Sequence, residues 1–456
     1  MSHRDLLHAT ATHAADFLDS LGERPIFPRA SADELRATFD GPLPDEPRDA
    51  ETVIGELVTG ADPGTVGIPS GRYFGFVIGG SVPAALAADW LTSAWDQNGG
   101  LYVSGPAAAI VEEVCIDWLR QLLGLPDGVS AAFVTGCQMA HVTALAAARY
   151  RVLQQAGWDV NERGLAGSPP VRVVAADLRH VTVDRALRLL GVGAAAIVEV
   201  PSDERCRMRV DALRAALRDA NEPTIVVAQA GEVNTGSFDP LEQIADASAE
   251  AGAWLHVDGA FGLWAATSPK LAHLLAGHER ADSWATDGHK WLNVPYDSGI
   301  AFCADPEAHR AAISVHASYL VHAGEGGPRD QMDWTPEFSR RARGFPIYAA
   351  IRSLGRTGIA AMVERCCDHA RRFAQLLADG GAEVMNEVVL NQVVVRFGDD
   401  ARTDAVIDRV VRDGTCFLSG TTFRGVRAMR ISVSNWQTSE NDVERAAAAV
   451  LRAAAA

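Results

Sequence analysis

Between about residues 71 and 310, short apolar runs alternate with longer stretches whose apolar positions recur at helical spacing. The short runs fall at 132–134, 171–175, 195–200, 224–228, 254–257, 283–285 and 300–303, whereas 139–155, 211–220 and 241–251 carry the helical spacing. Runs that stay largely apolar predict strands covered on both faces, and strands separated by helices predict a mainly parallel sheet. In such a sheet a ligand sits beyond the carboxyl ends of the strands. Residues 1–70 have little β character. Helical segments and a Pro-rich connector at Pro42, Pro44 and Pro47 predict a helical arm. From about 345 the texture changes to a long helix over 347–378, a strand over 389–397, a helix near 403–412, a strand over 429–433 and a final helix. The expected division is an N-terminal helical arm (1–70), a large α/β domain (71–335) and a small C-terminal α+β domain (336–456).

Composition narrows the partners. The 456 residues hold 41 Lys+Arg against 58 Asp+Glu, a net charge of −17 that repels nucleic acid and anionic membranes, so neither is an expected partner. Seven cysteines without a CxxC pair argue against a disulfide framework or a metal site and for a reducing, cytoplasmic setting. The first twenty residues lack the basic and apolar regions of a signal peptide, and no run of about 18 apolar residues could span a membrane. Lysine is the informative residue. Only Lys270 and Lys290 occur, against 39 Arg, so each surviving lysine raises the question of why Arg would not serve there.

Four features fall at predicted strand ends. Asp258, in Trp254-Leu-His-Val-Asp258-Gly-Ala260, is a carboxylate delivered by a strand and followed by two tiny residues. Buried there it needs a cationic partner, and a protonated aromatic ring nitrogen would serve, with Gly259 and Ala260 leaving room for a flat ring. The plain alternative is a helix-capping Asp. Lys290, in Asp287-Gly-His289-Lys290-Trp291, stands where a partly desolvated, deprotonated amine can form a Schiff base, which Arg cannot. Phe133-Val-Thr-Gly136-Cys137-Gln138-Met139 runs from a strand through a tight turn into a helix, whose N–H groups make a phosphate seat. His180 begins a helix after a strand and could stack on an aromatic cofactor, although a helix-start histidine is commonly structural.

In this order the four signals resemble the group II pyridoxal 5′-phosphate (PLP) dependent amino-acid decarboxylases of fold-type I, especially the aromatic-L-amino-acid decarboxylase branch. The matching stretches are 71–76, 135–143, 237–239, 255–260 and 289–292. The resemblance implies a seven-stranded, mainly parallel sheet in the large PLP-binding domain and a homodimer whose N-terminal arm crosses to its partner. It assigns the Schiff base to Lys290, the ring nitrogen to Asp258, packing under the ring to Ala260 and stacking above it to His180. Gly136, Cys137, Gln138, His289 and Asp287 would surround the phosphate, and Val233 or Asn234 would border the ring. Two departures stand out: Cys137-Gln138 replaces small hydroxylic residues, and Asp287 stands where animal relatives have Asn.

PLP stores the electrons released when a bond at Cα breaks. The resemblance assigns reprotonation of Cα to Tyr319, ahead of a Gly-rich stretch (324–327) that reads as a lid. A Tyr there, not the Phe of related aldehyde synthases, implies simple decarboxylation. Phe74, Phe76 and Tyr102 are the expected substrate wall, suited to an aromatic side chain, and 339–343 resembles the family's Arg-rich turn. Two rivals remain at this level: an aminotransferase or Cα-lyase of the same fold, with Arg430 taking the substrate carboxylate, and a catalytically silent scaffold.

Overall fold

The computed structural model describes residues 2–218, 222–315 and 327–456. The N-terminal segment forms helices α1 (His3–Ser20), α2 (Ala32–Phe39) and α3 (Ala50–Ala61). Their starts are local chemistry: the side chains of Ser2, Ser31 and Asp49 each accept a first-turn N–H that has no partner within the helix. Helices α4 (Pro83–Trp95) and α5 (Pro106–Leu122) follow, each opened by a proline whose missing N–H costs nothing in the first turn.

The large sheet has seven strands: β1 (Ser130–Val134), β2 (Arg172–Ala176), β3 (Ile197–Val200), β4 (Thr224–Gln229), β5 (Trp254–Asp258), β6 (Ser283–Asp287) and β7 (Gly299–Cys303). Their spatial order is β1-β7-β6-β5-β4-β2-β3. The pairs from β3 through β6 are parallel, and β7 runs antiparallel to both β6 and β1. Every residue of β1, β4, β5, β6 and β7 is buried, which is why these strands read as apolar runs and not as alternating ones. This is the expected α/β fold-type I architecture. Helix α6 (Cys137–Gln155) leaves β1 directly and packs along β7 and β6.

The C-terminal part holds an antiparallel sheet, β8 (Glu383–Val384), β9 (Gln392–Arg396), β10 (Ser419–Phe423) and β11 (Val426–Ser432), in the order β10-β11-β9-β8. The helix Gly344–Asp379 crosses between the two parts and is broken at Gly355, whose φ of 61° lies in the left-handed region. The stretch 72–74 is tied to the small sheet's side of the molecule: Phe74 N–H donates to the Phe417 carbonyl and Phe417 N–H to that of Arg72.

Candidate active site

Three strand ends and one helix start meet at one edge of the large sheet. β1 runs through Thr135-Gly136 into α6, β5 ends on Asp258, and β6 ends on Asp287, three residues before Lys290. The first residue of β7, Gly299, pairs with Val134 on one side and Asp287 on the other. The chains meet backbone to backbone here, because a Cβ placed on Gly299 would lie 2.4 Å from the Cα of Gly136.

Asp287 links these elements. Its Oδ1 accepts the N–H of Cys137 at 2.6 Å and lies 3.5 Å from His289 Nε2, while Oδ2 is 2.9 Å from Lys290 Nζ. The Lys290 side chain is 21% exposed, so its amine is largely but not wholly shut away from water. Burial pulls its proton affinity down, but the carboxylates of Asp287 and Asp258 outweigh burial and hold the amine above the ordinary lysine range. The desolvation is present, and the carboxylate three residues away cancels its effect.

Asp258 is buried at the end of β5. Ala260 N–H donates to its Oδ1 at 3.1 Å, His141 Nε2 stands 3.4 Å from Oδ2, and the Cys137 thiol is 4.0 Å from Oδ1. Burial pushes this carboxyl up, but His141, His180 and Lys290 together hold it well below the usual carboxylate range, so it stays ionised. Cys137 therefore touches Asp258 through its thiol and Asp287 through its N–H, and the carboxylate at 258 and the amine at 290 lie close enough for each to act on the other's charge. Burial, then Asp287 and Asp258, push the Cys137 thiol well up, so it is no thiolate. Its sulfur, His141 and Asp258 also bring three metal-capable atoms within 4.8 Å of one another.

His180 caps the helix Val181–Leu189. Its Nδ1 accepts from the Thr182 hydroxyl at 2.8 Å and the Thr182 N–H at 3.4 Å, which leaves the ring proton on Nε2. The ring also lies within the fields of Asp258 and Lys290, and burial lowers its proton affinity. His289 stacks on Tyr296 at 4.3 Å, and its Nδ1 accepts the Ser298 N–H at 3.1 Å. The Gln138 amide donates to the Thr182 carbonyl at 3.2 Å, and its Oε1 is buried without a partner among the described residues. Asn234 is held at both ends, donating to Glu232 and accepting from the Thr421 hydroxyl. Arg430 donates to the Val233 carbonyl at 3.3 Å, and its Nε is buried without a partner among the described residues.

A family model described as "Pyridoxal-dependent decarboxylase conserved domain" matches residues 33–397. The chain belongs to the pyridoxal-dependent decarboxylases. It is 30% identical over 453 residues to aromatic-L-amino-acid decarboxylase of Sus scrofa, covering 95% of this chain and 92% of the relative. It is 27% identical over 452 residues to histidine decarboxylase of Rattus norvegicus, covering 95% of this chain and 68% of that one. The structure of Oryza sativa TDC with PLP and tryptamine superposes with a TM-score of 0.93 at 25% identity, covering 99% of this chain and 97% of that chain. This pyridoxal-dependent decarboxylase is thus an enzyme, a carboxy-lyase that uses PLP to remove CO2 from an amino acid.

The decarboxylase's site fits that cofactor at two ends. It offers an ionised carboxylate for a ring nitrogen and an amine for an aldehyde. At the phosphate end it departs, because the Asp287 carboxylate already takes the Cys137 N–H that opens α6.

Other expected residues fall differently. Phe74 is fully buried with its ring edge-on to Phe373 in the core, so it lines no open hollow, and its place in the substrate wall is corrected. Phe76 is 55% exposed, and Tyr102 is half-buried, its backbone N–H donating to the Asp330 carboxylate at 2.8 Å. Tyr319 and the Gly-rich stretch up to 326 lie outside the described residues. The Arg-rich turn is not a solvated run. Arg340 is buried against Glu112 at 2.8 Å, Arg341 holds Asp89 at 2.7 Å, and Arg343 holds Asp297 at 2.7 Å. Sequence reasoning missed His141 and His256. Their signals were spacing: His141 is one helical turn beyond Cys137, and His256 precedes Asp258 by two, on the same strand face.

Proposed function

We propose that this decarboxylase converts an aromatic L-amino acid to the corresponding amine and CO2. The observation that carries the substrate class is the likeness, over almost the whole of both chains, to a structure that holds tryptamine and to aromatic-L-amino-acid decarboxylases. Histidine is the second reading, because histidine decarboxylase of Rattus norvegicus matches the chain over a similar span.

Bound PLP supplies an electron sink for the pair released from the bond to the leaving carboxylate. The chain's own groups do the rest. Lys290 holds the cofactor, and Asp258, kept ionised, keeps the ring nitrogen positive. Ala260 and His180 confine the ring from its two sides. Gly136, Cys137, Gln138 and His289 hold the phosphate, with Asp287 among them, and Asn234 borders the ring. Tyr319 returns a proton to Cα. Phe76 and Tyr102 wall the side chain of the substrate. Two further proposals concern the setting. The chain works as a homodimer, for which exposed Trp90, Leu91 and Trp95 on α4 supply apolar surface. It works in a reducing, cytoplasmic compartment, in keeping with seven buried, unpaired thiols. Among the described residues no helix is long and apolar enough to cross a membrane.

The test is a screen of the twenty amino acids and dopa, with PLP added, for CO2 and for amine. Release of CO2 with equimolar amine from tyrosine, dopa, tryptophan or phenylalanine is the expected result, and it should vanish in Lys290→Ala. Exclusive turnover of histidine would replace the aromatic reading, and a keto acid product would overturn decarboxylation itself.

A further inference from the structure

From Asp258 a chain of buried polar groups runs back along β5. Trp254, His256 and Asp258 alternate along β5 and so share one face. The Trp254 indole N–H donates to Ser283 Oγ at 2.9 Å, Ser283 Oγ is 2.9 Å from His256 Nδ1, His256 Nε2 is 2.9 Å from His141 Nδ1, and His141 Nε2 is 3.4 Å from Asp258 Oδ2. His141, His256 and Ser283 have no exposure at all.

The indole fixes the direction of every bond. Trp254 Nε1 can only donate, so Ser283 Oγ accepts from it. Among the described residues the acceptor for the Ser283 hydroxyl proton is then His256 Nδ1. A neutral His256 therefore carries its proton on Nε2 and gives it to His141 Nδ1. A neutral His141 in turn carries its proton on Nε2, facing the carboxylate. Burial pushes the proton affinity of His256 down to about 3, so it is neutral at working pH. All donors point one way, and the chain ends on the single anion.

We propose that His141 and His256 are positioning residues that hold Asp258 as an anion in a fixed orientation, and so set the charge of the cofactor's ring nitrogen. The inference rests on the reading that Asp258 faces that nitrogen. Ala260 N–H donates to Oδ1, and His141 Nε2, which also lies 3.5 Å from the Cys137 sulfur, stands 3.4 Å from Oδ2; both favour the ionised carboxyl. Besides His141, the titratable groups that face Asp258 are Cys137 on α6, His180 at its helix start and Lys290 after β6. The grouping of Cys137, His141 and Asp258 is accounted for without a metal, because the lone pair that a metal would need on His141 Nε2 is taken up by an N–H bond.

The experiment uses the PLP-loaded enzyme and variants remote from the cofactor. His256→Phe removes the donor to His141, and Ser283→Ala removes the hydroxyl that sets the tautomer. His256→Gln restores a side-chain N–H in the same direction. The readouts are the pH at which the visible absorption of the bound cofactor is lost, the PLP dissociation constant, and kcat separately from KM. A positive ring nitrogen repels a proton at the far end of the same conjugated system, so weakening that charge moves the transition upward, by about one pH unit for each 1.4 kcal/mol lost. His256→Phe and Ser283→Ala are expected to show this shift, with kcat down about tenfold, KM little changed and His256→Gln close to the parent. If His256→Phe does not fold, Ser283→Ala decides alone. A folded Ser283→Ala or His256→Phe protein whose transition overlays the parent overturns the chain. An Asp258→Asn enzyme with unaltered spectrum and kcat shows instead that the Asp258 reading has failed, and the chain with it.

Discussion

At the scale of single residues, the site is a contest over charge. Asp287 accepts the N–H of Cys137 and pairs with Lys290, so it stands where an incoming phosphate needs the same N–H. Asn at this position keeps an acceptor for Cys137 and drops the charge. Asp287→Asn is therefore expected to bind PLP more tightly, by about tenfold for each 1.4 kcal/mol of repulsion removed. It also frees the Lys290 amine. The parent amine is held above the ordinary lysine range, and only its neutral form attacks an aldehyde, so the rate of PLP uptake should rise with pH, and in Asp287→Asn that rise should come at lower pH. Stopped-flow absorbance across pH measures both effects, and weaker PLP binding by Asp287→Asn would show that the carboxylate is needed in the loaded site. Residues of this kind were legible in the sequence where their chemistry is rare. Lys290 stood out because 39 of 41 cations are Arg, and Asp258 because a carboxylate after an apolar strand needs a reason. His141 and His256 did not stand out, because a buried histidine on an apolar helix or strand has the same local pattern as a core residue. Phe74 was misread for the converse reason: its ring looks the same in sequence whether it meets a substrate or, as here, Phe373.

At the scale of elements, the central strands were legible because burial on both faces leaves no polar positions to blur the run, as in Thr224–Gln229 and Gly299–Cys303. α4 and α5 were not called, although Pro83 and Pro106 mark their first turns. β10 was missed because Ser419-Gly-Thr-Thr-Phe423 is an edge strand with half-exposed positions and little apolar content. What no periodicity shows is how closely two elements approach. β7 starts against the turn into α6 with no room for a side chain, and the nearest atoms are backbone, which cannot swing aside. Gly299→Ala should therefore displace Gly136 and the Cys137 N–H, at a cost of about 1–3 kcal/mol, the usual range for overpacking. The expected outcome is PLP affinity reduced by about ten- to hundredfold, with a smaller change in the thermal midpoint of the apoprotein, read by absorbance titration and calorimetry. Unchanged PLP affinity would show that the turn into α6 is not the phosphate seat.

At the scale of the whole molecule, the apolar surface is larger than the site needs. Leu43 is 89% exposed in the Pro-rich connector of the arm, Leu91 is 48% exposed between Trp90 and Trp95 on α4, and Val103 and Ile110 are exposed nearby in sequence. Exposed apolar residues scattered singly are ordinary, but several on one helix beside an arm that already packs on the body mark a face to be covered. A second copy of the chain is the proposed cover. Two chains that each carry −17 repel one another, so the apolar contact has to outweigh charge, and added salt should strengthen the association by screening it. A carboxylate placed in that contact would be desolvated without a partner. Leu91→Asp is thus expected to raise the dimer dissociation constant by at least about tenfold while leaving the fold of each chain intact, because Leu91 is already half in water there. Sedimentation velocity at graded protein and salt concentrations reads this directly. A parent that sediments as one chain at every concentration, or a Leu91→Asp chain that sediments as two at the same concentrations as the parent, would show that α4 is not the interface.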